Sequence, residues 1–255
     1  MKVVILAGGY GTRLSEYTDV IPKPMVTIGS KPIIWHIMQH YSSYGYNDFV
    51  IALGYKSHVI KEYFSNYPLL DRDFAVDFKT GKIEPISSPI LDWKVTLVDT
   101  GIDSLTGTRL KNLKPYLQDR PFMLTYGDGL SDVNINDLVN HHQAQSRLVT
   151  VTAVRPPARF GELILSENSV IQFSEKPQLH EGWINGGFFV MEPAFIDLIP
   201  DQNVMLERDP LEAVVNRGEL AAYQHYGFWQ CMDTKRDRDL LEKLYAENPP
   251  WRTVA

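Results

Sequence analysis

The sequence predicts an α/β fold in which helices cover a parallel β-sheet. Short runs of β-branched and aromatic residues alternate with segments of helical character through the first half of the chain, as βαβ units require. The first apolar run passes directly into a glycine-rich loop at residues 8–13. A length of 255 residues with 44% hydrophobic content allows one α/β domain with a sizeable core. We therefore expect a single domain over residues 1–255, with ligands at the carboxyl ends of the strands.

Apolar runs and capping residues delimit the elements of the first half. The predicted strands cover residues 3–6, 49–53, 95–98 and 122–126, and the predicted helices cover residues 31–44, 57–66 and part of 106–117. Pro32 near its start and Gly45 just past its end delimit the first helix. Ser57 is placed to cap the second helix.

The second half has shorter elements. Strands are predicted at residues 148–154, 162–165, 170–174, 184–191 and 220–225, and a charged helix closes the fold at 235–247. Segment 67–92 is rich in Pro, Asp and Ser and has weak periodicity, so we predict a long excursion with room for short strands. Because no linker composition divides the halves, we expect no second domain.

The amino-acid composition argues against some classes of binding partner and of cellular location. A net charge of −6 argues against a surface for nucleic acid or anionic membrane. The single cysteine, Cys231, excludes an internal disulfide and is typical of a reducing compartment. No apolar stretch approaches the ~20 residues that span a bilayer, and the apolar start is too short for a signal-peptide core. We expect a cytoplasmic protein without nucleic-acid or membrane partners.

The glycine-rich loop and two nearby cations form a candidate polyphosphate cradle. Gly8, Gly9 and Gly11 let backbone N–H groups approach a bulky anion. Arg13 adds a permanently charged fork that suits phosphate oxygens. Lys23 lies between two prolines, which stiffen its loop. On the glycines alone, an ordinary turn after a strand stays equally open.

Two common phosphate-binding motifs do not fit this loop. It lacks the Gly-Lys-Ser/Thr ending of a P-loop. Its glycine spacing differs from the dinucleotide fingerprint, and no acidic residue ends a clear second strand about 20 residues further on. This argues against a nicotinamide-dependent oxidoreductase.

Two aspartates are candidate metal ligands. Asp128 ends an apolar strand between glycines, and Asp233 follows an aromatic stretch and precedes a helix. Each alone also suits a turn or a helix cap. If both lie at one edge of the sheet, they suit Mg²⁺, which is held by one or two carboxylates together with substrate phosphates.

The motifs along nearly the whole chain identify a family. Leu6-Ala7-Gly8-Gly9-x-Gly11-Thr12-Arg13-Leu14, followed by Pro22-Lys23-Pro24-Met25, resembles the sugar-1-phosphate nucleotidylyltransferases. Within that family, the branch that uses CTP and glucose 1-phosphate is similar in the following further motifs: Trp35-His36-Ile37-Met38, Gly54-Tyr55-Lys56, Ile60-Lys61-Glu62-Tyr63-Phe64, Val95-Thr96-Leu97-Val98-Asp99-Thr100-Gly101, Tyr126-Gly127-Asp128-Gly129, Arg159-Phe160-Gly161, Glu175-Lys176-Pro177, Asn185-Gly186-Gly187-Phe188-Phe189 and Gly227-Phe228-Trp229-Gln230-x-Met232-Asp233-Thr234.

The resemblance implies a fold and a reaction. The fold is Rossmann-like, a three-layer αβα arrangement with a mixed, mostly parallel central sheet, of nucleotide-diphospho-sugar transferase type. Residues 1–130 form the nucleotide-binding half and residues 131–255 the sugar-phosphate half. The reaction is attack of a sugar 1-phosphate on the α-phosphorus of CTP with release of pyrophosphate, assisted by Mg²⁺. Its product would supply deoxysugar synthesis for surface polysaccharide. Family members form homo-oligomers, so a trimer or hexamer is expected.

The resemblance also implies residue roles. The catalytic residues are Arg13, Lys23, Asp128 and Asp233, and the metal ligands are Asp128 and Asp233. The nucleotide-binding residues are Leu6, Ala7, Gly8, Gly9, Gly11, Thr12, Arg13, Lys23, Thr100, Gly101, Thr106 and Arg109. The sugar-phosphate-binding residues are Tyr126, Gly161, Glu175, Lys176, Asn185 and Gly186.

Base choice is assigned to residues 99–109. The thymidylyltransferase relatives carry Pro-x-Gly-Leu-Ala-Gln-Ala in this region, and its absence here favours cytosine. The same chemistry with dTTP or UTP stays open, as does a non-catalytic nucleotide-sugar-sensing subunit of the same fold. Arg109 is equally compatible with an ordinary exposed helix arginine. On spacing alone, Glu175-Lys176-Pro177 also suits a solvated turn, and Gly186-Gly187 suits a strand bulge.

Three further features are interpreted without assigning them chemistry. His36 and His40 lie four residues apart on a helix but lack the metalloprotease pattern, so we expect packed histidines. Cys231 departs from the family pattern, in which proline usually precedes Met-Asp-Thr. The apolar residues of segment 67–92 suit an interface between subunits.

Overall fold

A seven-stranded mixed sheet forms the centre of the computed structural model, which describes residues 1–88, 91–117, 120–155, 162–166, 169–174 and 182–252. Its strands are β1 (Lys2–Leu6), β4 (Asp48–Leu53), β7 (Lys94–Asp99), β8 (Phe122–Tyr126), β10 (Val149–Val154), β13 (Ile184–Met191) and β14 (Leu220–His225), in the spatial order β14-β10-β13-β8-β1-β4-β7. The smaller two-stranded ribbons pair β2 (Thr27–Ile28) with β3 (Lys31–Pro32), β5 (Phe74–Asp77) with β6 (Lys82–Pro85), β9 (Gly129–Ser131) with β15 (Trp229–Cys231), and β11 (Glu162–Ser166) with β12 (Ser169–Ser174).

Most strands of the central sheet run in the same direction, and one strand runs against them. β1 is parallel to both β4 and β8, β4 is parallel to β7, and β10 is parallel to β14. β13 runs antiparallel between β8 and β10. The first residues of β13 therefore lie beside the last residues of β8. The predicted mixed, mostly parallel sheet is confirmed, and strands from both predicted halves belong to it.

Helices cover both faces of the sheet and confirm the three-layer arrangement. They are α1 (Ser15–Thr18), α2 (Ile33–Ser42), α3 (Ser57–Leu70), α4 (Thr106–Asn112), α5 (Lys114–Leu117), α6 (Ile135–Gln145), α7 (Asp209–Asn216) and α8 (Lys235–Glu247). Alternate residues of β1 belong to different cores. Val3 and Ile5 pack in the core that contains α2, and Val4 and Leu6 pack in the core that contains α4. Within the described residues, no helix has the length and apolarity needed to cross a bilayer.

Three predicted features of helices α2 and α3 are wrong. α2 begins at Ile33 because Lys31 and Pro32 pair with β2. Ser57 does not cap α3: the cap residue is Lys56, in the left-handed region at φ 49°, and the Ser57 hydroxyl donates to Asp99. α3 also continues four residues beyond the predicted end, through Pro68.

The extension of α3 has a packing cause. The Tyr67 hydroxyl accepts a hydrogen bond from Trp35 Nε1 at 2.9 Å, and its ring stacks on Trp93 with centroids 6.5 Å apart. These contacts hold the last turns although Pro68 cannot donate to the helix ladder. Beyond α3, strands β5 and β6 form an exposed hairpin inside the predicted excursion.

Candidate active site

An open cleft of about 520 Å³ lies at the carboxyl ends of β1, β7 and β8. It is lined by Leu6, Ala7, Gly8, Gly9, Tyr10, Gly11, Thr12, Arg13, Lys23, Pro24, Ile102, Asp103, Ser104, Leu105, Thr106, Arg109, Tyr126, Gly127, Asp128, Met205, Trp229, Cys231 and Asp233. The structure therefore brings the predicted glycine loop, both predicted cations and both predicted aspartates into one concave site. A cleft at strand ends is where open α/β sheets bind ligands.

Lys23 and two aspartates form the charged centre of the cleft. Lys23 Nζ lies 2.5 Å from Asp128 Oδ2 and 2.6 Å from Asp233 Oδ1. Arg13 Nη1 lies 2.6 Å from the other oxygen of Asp233. Burial alone would lower the pKa of Lys23, but the two carboxylates outweigh it and raise that pKa. Lys23 is thus a fixed cation at any physiological pH.

Backbone pairing explains how residues far apart in sequence meet here. β9 pairs with β15, so Gly129 is opposite Cys231, and the Met232 amide donates to the Asp128 carbonyl at 2.8 Å. Asp237, three residues into α8, accepts from the amides of Asp233 and Thr234 in a capping box. This ribbon and this helix start set the distance between the two aspartates.

The two aspartates suit a magnesium ion. Their carboxylates approach one ammonium group, so a cation with hard oxygen preference would find two ligands in reach of each other. In the part of the chain that the structure describes, no group of three or more His, Cys, Asp or Glu side chains is placed to hold a metal. An ion held by two carboxylates would complete its shell with water and phosphate oxygens, as Mg²⁺ commonly does.

The buried side chain of Arg109 holds the backbone of the glycine loop through hydrogen bonds. It is 3% exposed, and its guanidinium donates to the carbonyls of Gly8 and Leu53 and to the Thr100 hydroxyl, each at 2.9 Å. It donates as well to the carbonyls of the two residues after Thr100. A Cβ on Gly8 or on Gly54 would collide with this guanidinium. A side chain at either position would displace the buried guanidinium from its hydrogen bonds, a constraint that the sequence did not indicate.

The alternative of an exposed helix arginine at position 109 is wrong. The terminal nitrogens of Arg109 already donate to protein oxygens, so direct contact with a nucleotide stays a prediction. Burial lowers the pKa of Arg109, but a guanidinium is basic enough to keep its charge at neutral pH. Its positive charge lies directly beneath the loop, where an anion would be favoured.

The side of the glycine loop that faces the cleft is open. No described residue accepts a hydrogen bond from the amides of Gly8, Gly9, Tyr10 or Gly11. A Cβ on Gly9 would meet nothing within 4 Å. Gly11 adopts φ +66° just before a short 3₁₀ helix that contains Arg13. Unpaired amides above a buried cation form a suitable cradle for phosphate oxygens.

Thr100 and Gly101 are not part of the cleft lining. Thr100 is 3% exposed, and its hydroxyl donates to Leu53 and accepts from Arg109. Thr100 thus supports Arg109, and its direct contact with a nucleotide stays a prediction. The following residues, 102–106, line the cleft, and Tyr10 of the glycine loop donates to Asp103 across it at 2.7 Å.

The described residues include only part of the predicted sugar-phosphate-binding set, which we call the sugar end of the cleft. Tyr126 lines the cleft and accepts a hydrogen bond from Asn185 Nδ2 at 3.3 Å, and the Gly186 carbonyl accepts from Trp229 Nε1 at 2.7 Å. Asn185 and Gly186 thus flank the cleft without lining it. Gly161, Glu175 and Lys176 lie outside the described residues.

Several cleft residues were not predicted from the sequence. Tyr10 and Trp229 lie inside motifs of the resemblance, so the signal was present. Met205 comes from a segment without a recognisable motif. Cys231 also lines the cleft; burial and nearby carboxylates, led by burial, raise the pKa of its thiol to about 12, so it is not a nucleophile at neutral pH.

Comparison with known proteins gives one family and full-length relatives. The family model described as nucleotidyl transferase matches residues 2–242. The glucose-1-phosphate cytidylyltransferase of Salmonella typhi is 49% identical over 255 residues, which cover 99% of both chains. The probable glucose-1-phosphate cytidylyltransferase of Bacillus subtilis is 44% identical over 248 residues, with 97% of both chains covered. The solved structure of HddC from Yersinia pseudotuberculosis has a TM-score of 0.71 at 22% identity, covers 96% of this chain and 99% of its own, and shows the shared fold.

Proposed function

Because this chain belongs to the nucleotidyl transferase family, we propose that it transfers the cytidylyl group of CTP to glucose 1-phosphate, forming CDP-glucose and pyrophosphate. The observation that carries this proposal is 49% identity to a glucose-1-phosphate cytidylyltransferase along 99% of both chains. Lys23, Asp128 and Asp233, which charged chemistry at phosphorus would need, meet in one cleft.

The charges of the cleft suit a reaction between two anions. Both substrates carry phosphate charge, so their mutual repulsion must be neutralised before they approach. Arg13 and Lys23 project into the cleft, and Arg109 adds a charge beneath the glycine loop. We assign Lys23 to the charge that develops on the transferred group and on pyrophosphate, because fixed cations act most strongly in the transition state.

We propose that Asp128 and Asp233 hold Mg²⁺ together with phosphate oxygens of the substrates. The bound ion would neutralise charge on the attacking and leaving oxygens. Lys23, which bridges both carboxylates here, keeps their repulsion low when no ion is bound. Arg13 holds the second oxygen of Asp233 and so orients that carboxylate.

The reaction requires no protein nucleophile and no general base. The phosphate of glucose 1-phosphate is ionised at neutral pH, and its oxygen attacks the α-phosphorus of CTP while the pyrophosphate oxygen leaves. Catalysis is then a matter of positioning and charge stabilisation. In this proposal the glycine-loop amides hold the triphosphate, and residues 102–106, which line the cleft, contact the base.

The finer assignments rest on the resemblance of the sequence motifs to the family. Lys176 would bind the sugar phosphate, and Glu175 and Asn185 the sugar hydroxyls. We propose a cytoplasmic homo-oligomer, a trimer or hexamer, with the exposed hairpin β5–β6 at a subunit interface. The same chemistry with dTTP or UTP is the alternative that the test below distinguishes.

Pyrophosphate release tests the proposal. The protein is incubated with Mg²⁺, each of CTP, dTTP, UTP, ATP and GTP, and a panel of sugar 1-phosphates. We expect release with CTP and glucose 1-phosphate at least about tenfold faster than with any other pair, the discrimination that one well-made polar contact supplies. Faster release with dTTP or UTP would overturn the base assignment, and no release with any pair would overturn the enzymatic function.

A further inference from the structure

We infer that Glu207 is a positioning residue that joins the nucleotide and sugar ends of the cleft and fixes Tyr126 as a hydrogen-bond acceptor for the sugar. The inference rests on the proposed function, which it deepens. Glu207 lies in the segment between β13 and α7. It matches no motif singled out in the sequence.

One carboxylate bridges two residues assigned to different substrates. Glu207 Oε1 accepts a hydrogen bond from the Tyr126 hydroxyl at 2.5 Å, and its Oε2 accepts from the Thr106 hydroxyl at 2.7 Å. Tyr126 ends β8 at the sugar end, and Thr106 begins α4 beside the base-facing residues. Hydrogen bonds to an ionised acceptor are the strong ones among side-chain contacts.

The network assigns a direction to every hydroxyl in it. Asn185 Oδ1 accepts from the Gly187 amide at 2.8 Å, which fixes the orientation of the Asn185 amide group. Asn185 Nδ2 therefore donates to the Tyr126 oxygen, while the Tyr126 proton goes to Glu207.

This direction has a consequence for recognition. With its proton committed to Glu207, the Tyr126 oxygen offers the cleft a lone pair and no donor. A sugar hydroxyl that donates a hydrogen bond would match it. If Glu207 is removed, Tyr126 can rotate its proton toward the cleft, and the match with a donating hydroxyl is lost.

Glu207 is held in place by the segment that carries it. Asn203 Oδ1 accepts from the Leu105 amide at 2.8 Å, and its Nδ2 donates to the Asp103 carbonyl at 2.9 Å. The Leu206 amide donates to the Thr106 hydroxyl at 2.8 Å. The segment is thus hydrogen-bonded along the base-facing residues, and Glu207 extends it to the sugar end.

Steady-state kinetics on the full-length protein test the inference. Glu207→Ala and Tyr126→Phe are each expected to raise the KM for glucose 1-phosphate about tenfold, the effect of losing one charge-assisted hydrogen bond. The kcat should change less than about threefold, because the contact acts on sugar binding in both ground and transition states. Glu207→Gln, which keeps one acceptor oxygen, should fall between Glu207→Ala and wild type. The exposed Glu212→Ala on α7 is the matched control and should leave both constants unchanged.

A double variant separates positioning from a general structural role. In Glu207→Ala/Tyr126→Phe the KM should be no higher than in the worse single variant, because both changes break the same contact. Asn203→Ala loosens the segment at another point, so its effect on the KM should instead multiply with the effect of Tyr126→Phe. A Glu207→Ala KM within twofold of wild type, or multiplying effects in the double variant, would overturn the inference. A wild-type protein without turnover would overturn the proposed function on which it rests.

Discussion

Lys23 links the stability of this cleft to its proposed chemistry. Its side chain is 11% exposed and lies between two carboxylates, so its charge is compensated although it is buried. Removing one partner of a buried ion pair leaves an uncompensated charge and typically costs about 3–5 kcal/mol. Variants here therefore need a measure of folding beside any measure of turnover.

Replacing either aspartate with asparagine should abolish most turnover. Asp128→Asn or Asp233→Asn removes one negative ligand from the proposed ion and weakens the neutralisation of both phosphates. We expect turnover to fall at least ~10²-fold, as when one electrostatic stabiliser is deleted. Pyrophosphate release and circular dichroism measure activity and fold, with Asp73→Asn, an exposed position near the hairpin, as control. Near wild-type rates with Mg²⁺ in both variants would refute the metal assignment.

Lys23 and Lys176, which are assigned to different substrates, should differ in kinetic effect. Lys23→Ala should lower kcat more than it weakens substrate binding, because a cation aimed at developing charge acts mostly in the transition state. Lys176→Ala should chiefly raise the KM for glucose 1-phosphate. Saturation curves for both substrates separate the two patterns. If Lys23→Ala changes only the KM for the sugar phosphate, Lys23 belongs to the other end of the site.

At the scale of elements, helix α2 carries two buried histidines that the sequence suggested as packed, and this is confirmed. His36 Nε2 lies 2.9 Å from the Ile28 carbonyl, and His40 Nε2 lies 2.9 Å from the Val133 carbonyl. Because a carbonyl only accepts, each Nε2 carries the proton. Burial lowers the pKa of both rings, so α2 packs with neutral imidazoles.

Stability should therefore fall in mild acid. Each histidine has a lower pKa in the folded state than in the unfolded state. Its contribution to the free energy of unfolding is therefore complete above the unfolded pKa of about 6.5, and this contribution is lost as the pH falls toward the folded pKa. Each ring can contribute up to about 1.4 kcal/mol per pH unit in that window. Thermal unfolding at pH 7.5 and 5.5 should show a drop in Tm that His40→Gln reduces. The exposed His58→Gln should keep the full drop, and equal drops in both variants would contradict this account.

The elements that could be predicted are those with a strong local pattern. Strands such as β1, β4 and β8 are apolar runs between turn residues, so their existence and approximate bounds follow from the sequence. β9 and β15 have three residues each, and their pairing depends on the rest of the fold. Three residues are too few for a hydrophobic pattern to predict a strand, although this pairing holds the two aspartates together.

Helix ends were less predictable for a physical reason. Ser57 is a common cap residue, but the chain enters α3 through Lys56 in a left-handed conformation, and no side chain caps the helix. α3 passes through Pro68 because tertiary packing on Tyr67 compensates for the missing hydrogen bond. By contrast, the start of α8 after Thr234 was predictable, and its capping box is formed.

At the scale of the whole molecule, the site is made by topology. Asp128 and Asp233 were recognisable as candidates from their flanks and the family resemblance, and the structure places both at Lys23. Arg109 and Glu207 were not recognisable in these roles, because their partners are backbone carbonyls and hydroxyls far along the chain. Buried hydrogen-bond networks leave no local pattern in sequence.

The outer surface supports the expected assembly. The hairpin β5–β6 exposes Phe78 by 95%, Ile86 by 71% and Ile83 by 46%. Near it, Leu91, Trp93, Val95 and Leu97 line an apolar cavity of about 470 Å³ beside the edge strand β7. Apolar surface of this kind on one side of a molecule is typical of a protein interface.

We expect a trimer or hexamer in solution. Phe78→Asp/Ile86→Asp should shift the mass toward the monomer, because a charge in the interface cannot be buried without cost. Val215→Asp, an exposed apolar position on α7, is the control and should leave the mass unchanged. Light scattering coupled to size exclusion measures these masses. A wild-type mass near 29.1 kDa at micromolar concentration would contradict the assembly and the role of the hairpin.

Isotope transfer tests the central claim, attack of the sugar phosphate on the α-phosphorus of CTP, most directly. Glucose 1-phosphate with ¹⁸O at every phosphate oxygen is incubated with CTP, Mg²⁺ and the protein, and the products are examined by ³¹P NMR and mass spectrometry. If the sugar phosphate oxygen attacks phosphorus, all of the label remains in CDP-glucose and the pyrophosphate is unlabelled. Label in released phosphate or pyrophosphate, or the absence of a labelled nucleotide sugar, would contradict the account.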